Sequence, residues 1–405
     1  MRLPALCLRQ PAGAVPDKVF DEQYRVVYRW GMAAVDGLIV VLVAWLARRL
    51  FPLEGAGEQG LRLLIYLAGT TVLWPLLYDH LDLVLALLLV VALGLLVSRL
   101  HYAWSFAVLA AAVNFKLVPL VLAPVWVVGS LPATRPLVPW GPRQAGRLLA
   151  RGALLAALVL AVFLPLYAAA GGDSLRFFRY HAARGLEVES LWACVPLALQ
   201  YLGQPIVVDY SYGSVNVHSP LTPLLTRLAA PVTAVLLAGG TSLLLLRARR
   251  LTAGADGERP AGTTLAQVYP AELGCYALLF LAVFVCANKV FSPQYLLWLA
   301  PLAVLVPLQG RHRRQFLWAF LLICALSTVV APFLFLFDII DPTAPDTAPP
   351  SIRAPSPRFV TIVLVRNLLF LGWTAALAAY LARRAFAGAG PGAGPGPQKG
   401  AARAR

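Results

Sequence analysis

Ionisable and hydrogen-bonding side chains occur in four short motifs that interrupt an otherwise apolar sequence. The motifs are "YDHLD" (78–82), "NFKLVP" (114–119), "YHAARGLEVES" (180–190) and "NKVFSPQY" (288–295). Lysine and arginine donate hydrogen bonds without accepting them and suit a phosphate, whereas carboxylates suit sugar hydroxyls or act as a base on a hydroxyl. Together the four motifs predict a site for a lipid phosphate that carries a polar group.

The candidate residues divide by their chemistry. We expect the cations Lys116, Arg184 and Lys289 to bind the phosphate. The candidates for the sugar or acceptor site, and for catalysis, are Asp79, His80 and Asp82. The remaining candidates for substrate binding are polar side chains of the same motifs: His181, Glu187, Glu189, Asn288, Ser292, Gln294 and Tyr295.

Each of these residues also has a purely structural interpretation. Lys116 could extend its ammonium to the membrane interface, Asp79 or Asp82 could cap a helix, and Arg184 could pair with a nearby glutamate. Four motifs that converge at one side of a membrane favour a functional site, because ionisable groups at membrane depth are costly and tend to mark function.

The composition is that of a helical membrane protein. Of 405 residues, 60% are hydrophobic and 13% are charged, and the mean hydropathy is +0.74. Apolar runs long enough to cross a hydrocarbon core of roughly 30 Å recur along the chain. The fold class predicted is an all-α polytopic bundle.

The same composition argues against several other classes of protein. The net charge of +16 comes from arginines in short breaks between apolar runs, which indicates membrane topology rather than a nucleic-acid partner. Five cysteines show no metal-ligand spacing, and neither a nucleotide-binding loop nor a GxSxG nucleophile motif is present. We therefore expect no cofactor and identify no metal ligands, and a requirement for a divalent metal stays open.

The arginine clusters predict the orientation of the helices, because positive residues collect in cytoplasmic loops. Six such clusters require about eleven crossings, and all four polar motifs then lie at the outer ends of helices. Helices are predicted over 31–47, 81–98, 149–170, 221–246, 269–287, 295–309, 315–337 and 358–382, with a hairpin of two short helices around 114–119.

The predicted organisation has three parts. Residues 1–30 form an extracytoplasmic or juxtamembrane segment, residues 31–383 form the transmembrane domain, and residues 384–405 form a disordered basic cytoplasmic tail. The domain includes two outer loops. One covers 171–220 and carries a surface or re-entrant helix over 190–202, and the other is the proline-rich stretch 338–357.

The chain resembles the GT-C glycosyltransferases that use polyprenyl-phosphate sugars, in particular the glycosyltransferase 87 (DUF2029) type. The resemblance covers roughly Tyr24 to Leu381, and four segments carry it: "YDHLDLVLALL" (78–88), "AVNFKLVPLVLAP" (112–124), "YHAARGLEVESLWA" (180–193) and "NKVFSPQYLLWLAPL" (288–302). It implies a multi-pass hexosyltransferase of the cell membrane. Such an enzyme transfers mannose from a polyprenyl monophosphate to a lipid or glycan acceptor at the outer face.

One part of the family pattern is missing from this sequence. In the family, an aspartate in the first outer loop is the usual catalytic base, but the first helix here, preceded by "FDEQYRVVYRWG", looks like the family's second. We therefore expect either a start codon set too late or a truncated copy, and the base stays unassigned. The alternatives are an inactive homologue that binds lipid phosphate, and a transporter or flippase of lipid-linked sugars. A transporter usually shows repeated halves and polar residues at the midplane.

Overall fold

The computed structural model describes residues 17–78, 80–98, 100–133, 141–253, 263–339 and 352–386. Most of these residues belong to fifteen α-helices. The first eight are α1 (Asp17–Leu50), α2 (Ala56–Val72), α3 (Trp74–Leu77), α4 (Asp82–Val97), α5 (Tyr102–Phe115), α6 (Ala123–Gly129), α7 (Pro142–Ala170) and α8 (Arg176–Ala183). The others are α9 (Cys194–Gln200), α10 (Thr222–Ala253), α11 (Leu265–Val268), α12 (Pro270–Ala287), α13 (Leu296–Ala303), α14 (Gly310–Thr328) and α15 (Pro357–Phe386).

Six helical stretches of the described chain are long and apolar enough to cross a bilayer. They are Glu22–Leu50, Pro142–Ala183, Thr222–Leu251, Pro270–Ala287, Gly310–Leu336 and Pro357–Phe386. Three shorter apolar helices, Asp82–Val97, Tyr102–Phe115 and Val118–Gly129, accompany them. The protein is therefore a helical membrane protein, as predicted, whereas the number of eleven crossings stays a prediction.

The helices differ in how much of their surface the protein itself covers. In the most apolar 18-residue window of α12, 78% of the residues are buried inside the protein. In the corresponding window of the stretch Pro142–Ala183 only 6% are buried, and leucines such as Leu149 and Leu164 are exposed. Helix α12 packs against α10, α13 and α15. A helix that is apolar all round belongs in the interior, and an apolar exposed helix requires lipid. Helix α12 is thus a central helix of the bundle, and α7 is a peripheral one.

Several predicted boundaries were wrong. Helix α1 begins at Asp17 rather than at residue 31, so much of the predicted N-terminal segment is helical. The helix predicted over 295–309 is shorter, because a 3-10 turn precedes α13 and the helix ends at Ala303, a few residues before Pro307. Helix α14 begins earlier than predicted and ends at Thr328, followed by a kinked π-helical segment, Val329–Ile339.

The segment predicted as an outer loop, 171–220, holds structure that the sequence reading missed. Strands β1 (Val207–Ser211) and β2 (Ser214–His218) form an antiparallel hairpin in the otherwise helical chain. Its turn residues, Tyr212 and Gly213, both have positive φ, which a two-residue type I′ turn requires. The predicted helix over 190–202 is only the seven-residue α9. Most of the loop 338–357 and of the tail 384–405 lies outside the described residues.

Buried ion pairs lie at the first turn of α12. Glu272 binds Arg247 at 2.6 Å and Arg384 at 3.5 Å. The other end of α12 leads directly into Asn288 and Lys289 of the fourth motif. With 1.5 Å of rise per residue, the 18 residues of α12 separate these two ends by about 27 Å. The ion pairs of Glu272 with Arg247 and Arg384 and the fourth motif, 288–295, are therefore at opposite ends of α12.

Candidate functional site

Two of the predicted motifs lie side by side, joined by backbone and side-chain hydrogen bonds. The Glu187 N–H donates to the Lys289 carbonyl at 3.1 Å, and the Phe291 N–H donates to the Glu187 carboxylate at 3.0 Å. The Lys289 ammonium donates to the carbonyls of Ala182 and Arg184 at 3.1 and 2.5 Å. These bonds fix the two motifs against each other although they are far apart in sequence.

The β-hairpin supports this arrangement from the other side. The Val188 N–H donates to the Val215 carbonyl at 2.9 Å, and the Val217 N–H donates to the Leu186 carbonyl at 2.8 Å. A Cβ added at Gly185 would lie 3.0 Å from the Cβ and Cγ of Asn216, closer than side chains pack. The absence of a side chain at this glycine lets the motif approach the hairpin.

Lys116 is held by an aspartate and by two aromatic rings. Its ammonium lies 2.7 Å from the Asp82 Oδ1, and the same oxygen accepts the Trp298 Nε1–H at 2.7 Å. The ammonium also lies 4.5 Å from the Trp298 ring centre and 5.2 Å from that of Tyr295, within the range of cation–π attraction. An ammonium has three donors, so this positioned group keeps donors for a ligand.

One cavity of about 590 Å³ brings six of the predicted residues together. They are Lys116, His181, Arg184, Asn288, Lys289 and Tyr295. The rest of the wall is mainly apolar and comes from the 3-10 turn Val118–Leu122 and from α8, α10 and α12. Among the described residues that line this phosphate cavity, as we call it, three carry a positive charge and none is a carboxylate. The wall suits an anion with a hydrocarbon tail.

A second, smaller cavity of about 200 Å³ begins at Arg184. It is lined by Glu187, Glu189 and Ser292 of the predicted motifs, and by Ser214 of the hairpin. Arg184 is the one described residue common to both walls, and its Nε donates to the Ser214 Oγ at 3.1 Å. The Arg184 guanidinium thus lies between the phosphate cavity and this second cavity, which we call the carboxylate cavity.

The two carboxylates of the second cavity are almost completely buried. The Arg366 guanidinium, itself fully buried, donates to a Glu189 carboxylate oxygen at 2.8 Å and to the Glu189 carbonyl at 2.7 Å. Glu187 accepts the backbone N–H groups of Glu189 and Phe291 at 3.2 and 3.0 Å. Glu189 therefore attaches the motif to α15, and Glu187 attaches it to the segment after α12.

Burial shifts the protonation of these groups. Burial and the neighbouring charge of Glu189 raise the pKa of Glu187 well above its ordinary value, although N–H donors oppose this shift. Burial raises the pKa of Glu189 to about 7, against the charge of Arg366. Burial lowers the pKa of the Lys289 ammonium, and the charge of Arg184 lowers it further. An anion at Lys289 would favour its charged form.

Some predicted residues lie elsewhere. Asp79 is outside the described residues. His80 and Gln294 are half-buried and line neither cavity. Asp82 is buried behind Lys116, and its Oδ1 accepts hydrogen bonds from both Lys116 and Trp298. Asp82 is therefore a positioning residue for Lys116 in this structure rather than a group open to a substrate. The structural alternative for Arg184 was an ion pair with Glu187 or Glu189; in the structure Arg366 binds Glu189, and the Arg184 Nε donates to the Ser214 Oγ.

Other residues of the site were missed by sequence reasoning. Trp298 and Arg366 lie in apolar helices, and Phe177 and Phe178 lie in the segment predicted as an outer loop. Arginine in the middle of an apolar helix such as α15 is a signal that could have been used, because it demands a buried partner. Nothing in the sequence indicated the hairpin residues.

No metal site is evident in the described part of the chain, where no group of three or more histidine, cysteine, aspartate or glutamate side chains could hold an ion. Comparison with protein-family models, with curated proteins and with solved structures finds no match. The class of the protein, a helical membrane protein with a cationic amphipathic cavity, therefore rests on its own sequence and geometry.

Proposed function

We propose that this protein is a membrane glycosyltransferase that takes a sugar from a polyprenyl-phosphate donor and transfers it to a lipid or glycan acceptor. Mannose is the sugar that the resemblance to GT-C enzymes implies. The phosphate cavity carries the proposal: Lys116, Arg184 and Lys289 line it, no described carboxylate does, and its remaining wall is mainly apolar. A polyprenyl phosphate has the same two parts, a phosphate and a hydrocarbon chain.

The donor binds with its phosphate at the three cations and its prenyl chain along the apolar wall. Phe177 and Phe178 line this wall and are 42% and 49% exposed, so the wall continues to the surface of the protein. Charge-assisted hydrogen bonds to phosphate are the stronger kind, and three cations in one cavity stabilise the departing polyprenyl phosphate as its charge develops.

The acceptor binds in the carboxylate cavity, on the other side of Arg184. Glu187, Glu189, Ser214 and Ser292 offer acceptors and donors to sugar hydroxyls. In the transfer, the bond between the sugar carbon and the phosphate oxygen breaks, and the acceptor oxygen forms a bond to that carbon. The acceptor proton passes to a base. The described candidates Asp82 and His80 line neither cavity, so we assign no base.

The proposed orientation has the site outside the cytoplasm and the chain in the cell membrane. The separation of about 27 Å between the Arg247–Glu272–Arg384 pairs and Lys289 supports it, because arginine-rich ends are normally cytoplasmic. A second function, binding of lipid phosphate without transfer, uses the same cavity and needs no base.

Reconstituted protein with a radiolabelled polyprenyl-phosphate sugar tests the proposal. Two readouts are needed: binding of the donor, and transfer of label to an acceptor in a membrane lipid extract. Lys116→Met is combined with Asp82→Asn, so that no buried carboxylate loses its partner, and is compared with Lys289→Met. We expect each variant to weaken donor binding by roughly 10- to 100-fold, the value of a lost charge-assisted hydrogen bond of about 1.5–3 kcal/mol.

Arg179→Met is the matched control, because Arg179 is exposed on α8 but does not line the cavity. It should leave binding unchanged, and Lys289→Arg, which keeps the charge, should retain most of it. Binding by the wild type without transfer would establish the second function. If the wild type fails to bind the donor, or both lysine variants bind normally, the proposal is wrong.

A further inference from the structure

A second amphipathic cavity, which shares no lining residue with the two cavities described above, lies in the groove between α14 and α15. This peripheral groove has a volume of about 810 Å³. Its floor contains Phe316 and Trp373, whose rings stack 4.5 Å apart, and the Trp373 Nε1–H donates to the Phe316 carbonyl at 3.1 Å. Small residues, among them Ala319, Gly372 and Ala376, leave the space above these rings empty of side chains. The groove is thus an open apolar channel between two membrane helices.

Polar side chains gather at one end of the groove. His312 and Gln315 come from the first turns of α14, and Arg383 and Arg384 come from the last turns of α15. Arg383 is exposed. Its described hydrogen bond stays within its own helix, where its Nε–H donates to the Ala379 carbonyl at 3.3 Å. Arg384 reaches back to Glu272 on α12, but the contact is long, at 3.5 Å, and its side chain is 40% exposed.

No carboxylate lines the groove within the described residues, and this absence limits what can bind there. A zwitterionic lipid would bring a cationic ammonium next to two arginines and find no acid to pair with it. An anionic phospholipid brings only negative charge to that end and hydrocarbon to the rest. Basic pockets between membrane helices bind anionic headgroups, and lysine or arginine near the membrane surface attracts anionic lipid.

We propose that the peripheral groove binds an anionic phospholipid of the surrounding bilayer, with its headgroup at Arg383 and Arg384 and an acyl chain over Phe316 and Trp373. This proposal is independent of the glycosyltransferase proposal. The groove shares no described residue with the phosphate cavity, and α12 separates Glu272, the partner of Arg384, from Lys289 by about 27 Å.

The test measures lipid retention by native mass spectrometry after the full-length protein is exchanged from mixed nanodiscs into detergent. The probes are phosphatidylglycerol and phosphatidylcholine with identical acyl chains. We expect the wild type to retain phosphatidylglycerol preferentially. Arg383→Gln combined with Arg384→Gln should lower its retention about 25-fold, which is the product of roughly fivefold for each charge.

A control pair has the same change in charge at the same end of the bundle. Arg311 and Arg314 lie in the first turns of α14, are exposed and do not line the groove, so Arg311→Gln with Arg314→Gln should leave retention within about twofold of the wild type. Equal losses in the two double variants would show a general effect of charge and overturn the proposal.

A third variant blocks the apolar part and leaves every charge in place. A Cβ added at Gly372 meets nothing within 4 Å, so Gly372→Leu can fill the groove without disturbing the helices. It should abolish preferential retention of phosphatidylglycerol while the thermal midpoint stays near that of the wild type. Normal retention in this variant, or equal retention of both lipids by the wild type, would overturn the proposal even if the arginine variants fail to fold.

Discussion

The phosphate cavity and the peripheral groove are made of the same two components, cationic side chains at one end and an apolar wall, but they are built differently. Four segments distant in sequence form the phosphate cavity, and backbone hydrogen bonds, a buried hairpin contact and the Lys116–Asp82 pair fix them. Two neighbouring helices form the groove, and its Arg383 is exposed. If both proposals hold, this difference predicts selection of one ligand in the cavity and association with a class of membrane lipid in the groove.

The largest expected effect comes from breaking a buried ion pair behind the carboxylate cavity. At pH 8.5, above the pKa of about 7 of Glu189, Glu189→Gln leaves the fully buried Arg366 without its charged partner, and such a loss costs about 3–5 kcal/mol in the free energy of unfolding. Chemical unfolding in detergent, followed by tryptophan fluorescence, measures the change. Phosphatidylglycerol retention by the groove should be unaffected while the protein remains folded.

The double variant with Arg366→Met serves as the control for this experiment. It removes both charges, so it should recover part of the stability lost in the single variant. Unchanged stability in Glu189→Gln would mean that the pair does not support the cavity, and the contrast between a fixed cavity and an open groove would lose its main structural basis.

A smaller effect should appear in the pH dependence of stability. The pKa of Glu187 is raised in the folded protein, so between its ordinary value of 4.5 and its folded value the folded state binds more protons than the unfolded state. Stability from this group is therefore greatest at low pH and falls as pH rises through that window. The slope for one proton is at most about 1.4 kcal/mol per pH unit.

Glu187→Gln resembles the protonated form and removes the contribution of this group, so the slope should become shallower; part of it should remain, because the pKa of Glu189 is raised to about 7 in the same window. Glu22→Gln, at an exposed glutamate, should keep the wild-type slope. Thermal midpoints measured at pH values from 5 to 8 give the comparison. A wild type and a Glu187→Gln variant with the same pH dependence would show that the carboxylate titrates as it does in the unfolded chain.

The smallest expected effect is a difference in salt dependence between the two sites. At 0.5 M sodium chloride, attraction to the exposed Arg383 in the groove is screened, so retention of phosphatidylglycerol should fall several-fold from its value at 0.05 M. Donor binding in the phosphate cavity should change less, since Lys116 and Lys289 are partly buried. If sodium chloride weakens donor binding and phosphatidylglycerol retention equally, the distinction between the two sites is lost.

Much of this arrangement could be predicted because membrane proteins carry strong one-dimensional signals. The length of apolar runs predicted the long helices, and the side of each arginine cluster predicted that Lys116, Arg184 and Lys289 share one end of the bundle. In the structure these three residues line one cavity. The glycosyltransferase activity itself stays a prediction.

The rest could not be predicted, for reasons that depend on tertiary contacts. Which carboxylate holds which cation follows from helix packing, so Asp82 was expected to face a substrate and Arg366 was not considered as the partner of Glu189. The hairpin 207–218 has short strands and lies in the segment predicted as an outer loop, and period-two patterns in such short strands are weak signals. Helix ends also depend on tertiary contacts, and the ends of α1, α13 and α14 differ from the predicted ones.

The position of α8 affects how a ligand would reach the phosphate cavity. Phe177 and Phe178 belong both to the cavity wall and to the exposed surface of a helix that follows a lipid-facing one. A ligand with a long hydrocarbon tail can therefore enter sideways, without passing through water. Its encounter with the protein is then a process of lateral diffusion in two dimensions. Occupancy of the cavity should follow the mole fraction of the ligand among the lipids rather than its concentration in the aqueous volume.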